Sequence, residues 1–321
     1  MTAASRSINI EPVCTLPELI WIEDEEYPPA INHCVFQSGT LWAFGQQVLV
    51  RSTNVLNWRN VAANLMTDGS FYASSVIDEP AGLRIFARNR NGLRCYRWDE
   101  WDLCWKALFS VQTGSHGVFA NWTDRGLVMV AMSNDVPDIV CTASASGDSQ
   151  KWRPSFRGVA VHMQMTSPGV GLCAVWGINN TLENHCTSPS AVYSTSDGGM
   201  SWRLAATLET MLLEGAAVDQ HTALVGGTGG FLALVDNVGV KELWEEAGGD
   251  IAAIDAKGSE QIALIESDDE PAIQNLLSRT GNGPWIRHEA RFDERVKCMK
   301  LLGPGECIVC TRRVIYRCRF T

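Results

Sequence analysis

The chain lacks both a long apolar run and an excess of positive charge. No stretch approaches the roughly 18–20 consecutive apolar residues of a membrane-spanning helix, so the sequence predicts no membrane span. Its 26 Lys and Arg residues are outnumbered by 36 Asp and Glu residues, which gives a formal net charge of −10. General nucleic-acid binding requires a basic surface, so we expect no nucleic-acid partner. Apolar residues make up 45% of the chain, which excludes a disordered protein.

The N-terminus lacks the apolar stretch of a signal peptide. The chain has 11 cysteines, an odd number, and most lie in apolar strand-like runs where a free thiol acts as a small hydrophobe. We therefore expect a reduced, cytoplasmic protein. Cys307 and Cys310 have the spacing of a metal-binding pair, but residues three apart on a strand point to opposite faces. No second pair lies nearby at zinc spacing, so the sequence predicts no metal site and no cofactor.

Common catalytic motifs are missing as well. The six histidines are scattered, and neither H-x-x-x-H nor the phosphate-binding G-x-x-x-x-G-K-[ST] occurs. The glycine-rich stretch 226–230 has no helix after it, and a phosphate cradle needs that helix N-terminus. We interpret this stretch as a turn.

Tryptophan is abundant, with 12 residues, and six of them recur regularly. They lie at intervals of 47, 47, 50, 42 and 41 residues: Trp58, Trp105, Trp152, Trp202, Trp244 and Trp285. A period of about 45 residues is typical of a propeller blade, and the chain length corresponds to roughly seven such units. Between the tryptophans, short apolar runs alternate with Gly, Pro, Asp and Ser turns, without a sustained helical period.

This pattern predicts an all-β protein, a single seven-bladed β-propeller domain over 1–321 with four antiparallel strands, a to d, in each blade. The expected blades span 30–65, 70–112, 115–157, 158–210, 212–248, 250–291 and 295–321. The last range supplies only three strands, and a missing outer strand would leave an exposed edge. Residues 8–22 are otherwise unassigned, so we expect them to supply strand d of the last blade and close the ring.

One turn carries a recognisable motif. Its residues fit the Asp-box pattern [ST]-x-D-x-G-x-[ST]-W at every fixed position: Thr195, Asp197, Gly199, Ser201 and Trp202. Asp can accept backbone N–H bonds in a tight turn, and Gly can take a positive φ. Worn versions precede four other tryptophans: Trp58, Trp152, Trp244 and Trp285.

The chain therefore resembles the Asp-box (BNR-repeat) β-propellers, with a WD40-like blade rhythm over nearly its whole length. That group includes sialidases, sortilin-type receptors, xyloglucanases and the seven-bladed photosystem II assembly factors. The resemblance implies that the Asp box is structural and lies away from any active centre. It therefore implies a fold and no particular chemistry.

Sialidase catalysis is not predicted. The nearest match to the sialidase arginine motif, Leu83-Arg84-Ile85-Phe86, lacks the Pro and the leading aromatic residue. Tyr72 is the tyrosine best placed to face a central pocket, although a packed aromatic is the favoured interpretation. A glycosidase would instead need two carboxylates at a defined separation. Four lie near the d–a loops and could supply such a pair, or could simply be solvated: Asp68, Glu214, Asp250 and Asp293.

The d–a and b–c loops of a propeller share one face, which is the expected recognition face. Blade 4 carries an insertion of about 14 residues there, from 177 to 190, and such long loops are often functional. We expect partner-binding residues on this face, with one basic spot at blade 2: Asn179, Asn180, Glu183, Asn184, His185, Arg88, Arg90, Asp135, Asp138, Asp268, Asp269 and Glu270. An acidic rim would steer basic partners, although the same charges suit a merely solvated loop.

The sequence thus favours a non-catalytic interaction protein, monomeric on its own, that binds a basic protein partner. Its role would be that of an assembly factor or of a neutralising partner, or immunity protein, for a toxin or effector. A glycosidase or lyase with a central carboxylate pocket is the second hypothesis. A lectin is the third, although the repeats keep their tryptophans and not their loops.

Overall fold

The structure is a computed structural model in which parts of the chain are described. Within 111–159 the description covers the backbone alone. The described residues are 7–16, 29–62, 65, 71–79, 82–89, 92–99, 101–111, 118–123, 126–133, 136–142, 149–152, 159–167, 170–176, 189–245, 249–266 and 273–320.

These residues form 28 β-strands and a single turn of 3-10 helix at Thr228–Gly230. In chain order the first fourteen strands are β1 Ile8–Thr15, β2 Ala30–Gln37, β3 Thr40–Gln46, β4 Val48–Ser52, β5 Arg59–Asn60, β6 Tyr72–Glu79, β7 Gly82–Asn89, β8 Gly92–Asp99, β9 Cys104–Val111, β10 Val118–Thr123, β11 Gly126–Ser133, β12 Val136–Thr142, β13 Ser149–Trp152 and β14 Val159–Ser167. The second fourteen are β15 Val170–Trp176, β16 Ser190–Thr195, β17 Arg203–Leu208, β18 Leu212–Ala217, β19 Thr222–Gly227, β20 Phe231–Asp236, β21 Val240–Glu245, β22 Asp250–Lys257, β23 Glu260–Glu266, β24 Ile273–Thr280, β25 Ile286–Arg291, β26 Val296–Gly303, β27 Glu306–Thr311 and β28 Val314–Phe320. No helix among the described residues has the length and hydropathy to cross a membrane.

The strands pair in antiparallel order as successive meanders. Four sheets contain four consecutive strands each: β10–β13, β14–β17, β18–β21 and β22–β25. The strands β2–β9 form one sheet of eight, in which β3 and β6 are joined by a single residue pair, Gln46 with Tyr72. The all-β prediction is therefore confirmed for the described residues.

The sixth sheet joins the two ends of the chain, in the order β1-β28-β27-β26. Ile8 pairs with Phe320 and Thr15 pairs with Val314, so β1 is the outer strand beside β28. The strand ends at Thr15, short of the predicted 8–22, and Leu16 then donates its N–H to the carbonyl of Arg313 at 2.8 Å. Residues 17–22 lie outside the described part of the chain.

Contacts divide the chain into two compact units. One contains Ser7–Val118 with Phe292–Thr321, and the other contains Phe119–Arg291. Within the first, a core built around Ile31, Leu41 and Ile308 lies between β2–β4 and the β26–β28 sheet. Within the second, every residue of β19 and β20 is buried, because inner strands of a sheet covered on both faces carry continuous apolar runs.

The repeating tryptophans lie close to the fourth strand of their sheets. Trp58, Trp202 and Trp285 immediately precede β5, β17 and β25, and Trp105 lies at the second position of β9. Trp152 ends β13, and Trp244 lies within β21. Trp105, Trp202 and Trp285 are buried. A large apolar ring at this position covers the turn that leads into the outer strand.

A β-bulge recurs near the start of six strands that each begin a four-stranded meander: β2, β6, β14, β18, β22 and β26. The register shifts at the second or third residue of six strands, at Asn32, Ser74, Val161, Leu213, Ala252 and Lys297. A bulge bends the strand and redirects a side chain. These bends therefore lie at the ends of the strands that follow the d–a connections.

Candidate functional site

The candidate site is the edge of each sheet formed by its d–a and b–c connections, which we call the connection edge. Most of the predicted partner-binding residues lie outside the described residues. The connection between β15 and β16 spans 177–189, and the structure describes only its last residue. Ten of the predicted partner-binding residues lie outside the described residues: Asn179, Asn180, Glu183, Asn184, His185, Arg90, Asp135, Asp268, Asp269 and Glu270.

Two of the predicted residues belong to described strands. Arg88 lies near the end of β7, where its Cα partners are Tyr72 of β6 and Leu93 of β8. Asp138 lies in β12 opposite Ala131 of β11. Arg88 is thus placed at the connection edge of its sheet, beside the first residue of the inner strand.

The connection edge of the β1-β28-β27-β26 sheet carries both signs of charge. Its exposed cations are Arg295, Lys297, Arg312 and Arg313, and its carboxylates are Asp293 and Glu294. Arg313 donates to Glu294 at 2.6 Å through Nε, and the Tyr316 hydroxyl donates to Asp293 at 3.0 Å. The expectation of a mainly acidic face with a single basic spot at blade 2 therefore does not describe this sheet.

Two of the four carboxylates considered for a glycosidase accept hydrogen bonds within the fold. Asp250 begins β22 and accepts the N–H of Gly229 at 2.9 Å, which fastens the β19–β20 turn. Asp293 accepts the Tyr316 hydroxyl. Glu214 is half-buried in β18 opposite Gly226, and Asp68 lies outside the described residues. The turn predicted for 226–230 is confirmed, since it joins β19 to β20 through Thr228–Gly230.

Among the described carboxyl groups, those whose pKa departs clearly from its ordinary value are shifted downward. A hydrogen bond from Lys106 lowers the pKa of Asp99 to about 2. Hydrogen bonds from Lys241 and Arg317 lower the pKa values of Asp236 and Glu306 respectively. A general acid requires a raised pKa. The lowered pKa values of these carboxyl groups therefore favour structural roles in turns and strand pairing.

Tyr72 belongs to a partly buried group of polar side chains. Its hydroxyl lies 3.1 Å from His33 Nε2 and is hydrogen-bonded to the Asn32 side chain. Burial raises the pKa of Tyr72, and burial lowers the pKa of His33 to about 4. A neutral tyrosine held by two side chains is poorly prepared to act as a nucleophile.

The Asp-box turn has the hydrogen bonds that its residue types predict. The Asp197 carboxylate accepts bonds from Thr195 Oγ1 at 2.8 Å and from Ser201 N and Oγ at 2.9 and 2.5 Å. Thr195 Oγ1 accepts the N–H of Gly199 at 3.0 Å. Gly199 has a φ of 85°, and its carbonyl accepts Trp202 Nε1 at 3.0 Å. The motif thus forms a self-contained turn between β16 and β17.

A degenerate version forms a similar turn before Trp58. Asn54 Oδ1 accepts the N–H groups of Leu56 and Asn57 at 3.2 and 2.8 Å. Trp58 Nε1 donates to the carbonyl of Val55 at 2.7 Å, and Val55 has a φ of 69°. An amide here replaces the carboxylate, and a β-branched residue occupies the left-handed conformation that glycine prefers.

Three thiols converge in the first unit. Cys34 of β2, Cys298 of β26 and Cys310 of β27 have sulfur atoms that all lie within 4.8 Å of one another. Cys310 and Cys298 are direct cross-strand partners, whereas Cys307 pairs with Leu301 and Cys318. The prediction that Cys307 and Cys310 face opposite ways agrees with this register.

Sequence spacing did not reveal the thiol cluster. Its members come from three strands, and only Cys310 belongs to the short motif. Part of the signal was present, because the strands that carry Cys34 and Cys298 both begin blades that closure of the ring would make neighbours. The bulge at Asn32 precedes Cys34 and the bulge at Lys297 precedes Cys298, and neither bulge has a sequence signature.

No protein-family model matches the chain, and no curated protein sequence gives a significant match. Solved structures do match it over nearly its whole length. YCF48 bound to a D1 peptide is 12% identical, with a TM-score of 0.67 over 99% of this chain and 98% of that chain. Streptogramin B lyase is 9% identical, with a TM-score of 0.69 over 98% of both chains. The WD40 repeats of RRP9 are 8% identical, with a TM-score of 0.64 over 100% of both.

At these identities the likeness concerns the fold alone. The shared coverage and the antiparallel four-stranded meanders agree with one architecture. The chain has a β-propeller fold.

Proposed function

We propose that this protein is a non-catalytic β-propeller that binds a protein partner through its connection edges. The observation that carries the proposal is the likeness, over 99% of the chain, to YCF48, a propeller whose structure holds a D1 peptide. The WD40 repeats of RRP9 have the same fold. Propellers present a rigid set of strand ends on which variable loops can form a binding surface.

We further propose that the chain forms one domain of seven blades. The eight strands β2–β9 are joined at their middle by a single pair of residues, which supports reading them as two groups of four. With the other five sheets this gives seven groups. The pairing of β1 with β28 supports ring closure by the N-terminal strand. The bonds of the Thr195–Trp202 turn support a place among the Asp-box propellers.

The proposed partner is a basic protein segment. The net charge of −10 favours association with a cation-rich surface, because complementary charge speeds the encounter. The loops 177–189 and 267–272, together with Asp135 and Asp138, would contact the basic segment. The cations Arg88, Arg90 and those around Arg313 would bind acidic residues of the same partner. The nine cysteines in the described part of the chain form no disulfide with one another, which supports a reducing compartment such as the cytoplasm. An assembly factor or a toxin-neutralising partner fits these properties.

Affinity purification from the native host, followed by mass spectrometry, tests the proposal. Wild-type protein is compared with a variant in which 179–186 is replaced by a Gly/Ser linker. The matched control replaces the c–d turn 281–283 in the same way. We expect the wild type and the control to recover the same basic protein, and the loop variant to recover at least about tenfold less, as for the loss of a binding hot spot.

Equal recovery by all three proteins would remove the loop from the proposal. The absence of a reproducible partner, together with glycosidase or lyase turnover, would favour the enzymatic alternative. A glycan-array signal that survives removal of protein partners would favour the lectin.

A further inference from the structure

The proposed function gives no role to the thiol cluster of Cys34, Cys298 and Cys310, and the fold does not require it. Its three sulfur atoms lie within 4.8 Å of one another, and Cys34 and Cys310 are buried. Among the Cys, His, Asp and Glu side chains of the described residues, these three thiols lie close enough together to share one metal ion. Apolar neighbours surround it, including Ile31, Ile308 and Ile315.

Strand register keeps a fourth cysteine apart from the cluster. Cys14 of β1 is paired with Ile315, and Ile315 is paired with Cys310. Cys14 therefore lies two strands away from Cys310, a backbone separation of about 10 Å. Cys14 packs against the same apolar core, and the thiols close enough to share one ion are those on β2, β26 and β27.

We propose that this cluster binds a single thiophilic d10 metal ion, Zn²⁺ or Cu⁺. Thiolates select these ions over hard cations. A Zn–S bond of about 2.3 Å in a tetrahedral site separates ligand sulfurs by about 3.8 Å. The observed sulfur separations reach that value by rotamer adjustments of about 1 Å or less. Three sulfurs suffice for Cu⁺, and a water molecule would complete a tetrahedral site for Zn²⁺.

Binding would convert each ligating thiol to a thiolate and release its proton to solvent. The ion would link β2 to β26 and β27. It would therefore tie an N-terminal strand to the C-terminal sheet, a role distinct from partner binding.

Reduced full-length protein titrated with Zn²⁺, and separately with Cu⁺, against a chromophoric chelator tests this proposal. We expect about one ion per chain and sulfur-to-metal absorbance. The variant Cys298→Ser should weaken binding by at least about tenfold, since even outer-shell changes cost 10–100-fold in affinity. The matched control is Cys318→Ser, because Cys318 forms a cross-strand pair with Cys307 on the other face of the same sheet.

X-ray absorption of the metal-loaded wild type keeps the test independent of how well a variant folds. Three sulfur ligands on Cu⁺ or on Zn²⁺, with loss of one in Cys34→Ser, would support the proposal. Absence of stoichiometric binding, oxygen and nitrogen ligands alone, equal affinity in Cys298→Ser, or a Cys298–Cys310 disulfide that forms under the same reducing conditions would overturn it. None of these outcomes depends on the partner.

Discussion

Single side chains in this protein act chiefly by holding turns. The Asp197 carboxylate accepts three hydrogen bonds in one turn, Asn54 Oδ1 accepts three in another, and Asp236 accepts the N–H groups of Val238 and Gly239. Each group satisfies backbone donors that the change of strand direction would otherwise leave unpaired. Polar residues at these corners therefore stabilise the fold, and they are poor candidates for chemistry.

Replacing Asp197 by Ala should lower the free energy of unfolding by about 1–3 kcal/mol, the usual loss for hydrogen bonds to a charged group. Denaturant unfolding at neutral pH measures this change. The matched control, Asp102→Asn, removes an exposed carboxylate that pairs with Lys106, and it should change stability by less than about 1 kcal/mol. Equal effects of the two substitutions would contradict a structural role for the motif.

The same carboxylate makes the stability depend on pH. Although burial acts to raise it, hydrogen bonds from Ser201, Thr195 and Met200 hold the pKa of Asp197 below its ordinary value of 3.8. A carboxyl group whose pKa is lowered by folding stabilises the protein above its unfolded value and loses that contribution as the pH falls through the folded value. The difference between wild type and Asp197→Ala should therefore shrink below about pH 4.

At the scale of strands and sheets, the tryptophan spacing was informative because the repeating tryptophans lie at or near the same turn, the one that leads into the fourth strand. Trp202 and Trp285 immediately precede fourth strands, as the repeat spacing predicted. The bulges at Asn32 and Lys297 could not be predicted, since a register shift depends on the partner strand. For the same reason the convergence of Cys34, Cys298 and Cys310 becomes visible only when pairing is known.

Close packing between neighbouring sheets depends on Gly226 of β19. A Cβ atom at this position would lie 2.5 Å from Cγ2 of Ile251 in β22. We expect Gly226→Ala to destabilise the protein by about 1–3 kcal/mol, the usual cost of overpacking. Gly303→Ala is the control, because a Cβ atom there meets nothing within 4 Å; its effect should stay within about 0.5 kcal/mol in the same denaturant titration.

Strand β1 protects the edge of β28. Deletion of residues 1–15 should expose that edge and uncover the core that Val13 and Cys14 contact. We expect the midpoint of thermal unfolding to fall by about 5–10 °C, with oligomers detected by size-exclusion chromatography. Deletion of residues 1–6 alone, which leaves β1 whole, should change neither measurement, and a full-length midpoint in the longer deletion would contradict the role of β1.

At the scale of the whole molecule, the fold leaves the choice of function to the loops. Matches over 97–100% of the chain to propellers of unrelated activity show one architecture, and that architecture supports many functions. The predicted loop residues such as Asn184 and Asp269 fall outside the described residues. The net charge of −10 is an average over the chain, and Arg312 and Arg313 add positive charge at the connection edge of one sheet.

Hydrogen exchange on the complex purified from the native host tests the central claim most directly. Exchange should slow on partner binding at 177–189 and 267–272, which are b–c connections. It should stay unchanged at the c–d turns 54–57 and 197–201, whose N–H groups are bonded within their own turns. Protection confined to those c–d turns, or no protection at either connection with partner bound, would contradict recognition through the connection edges.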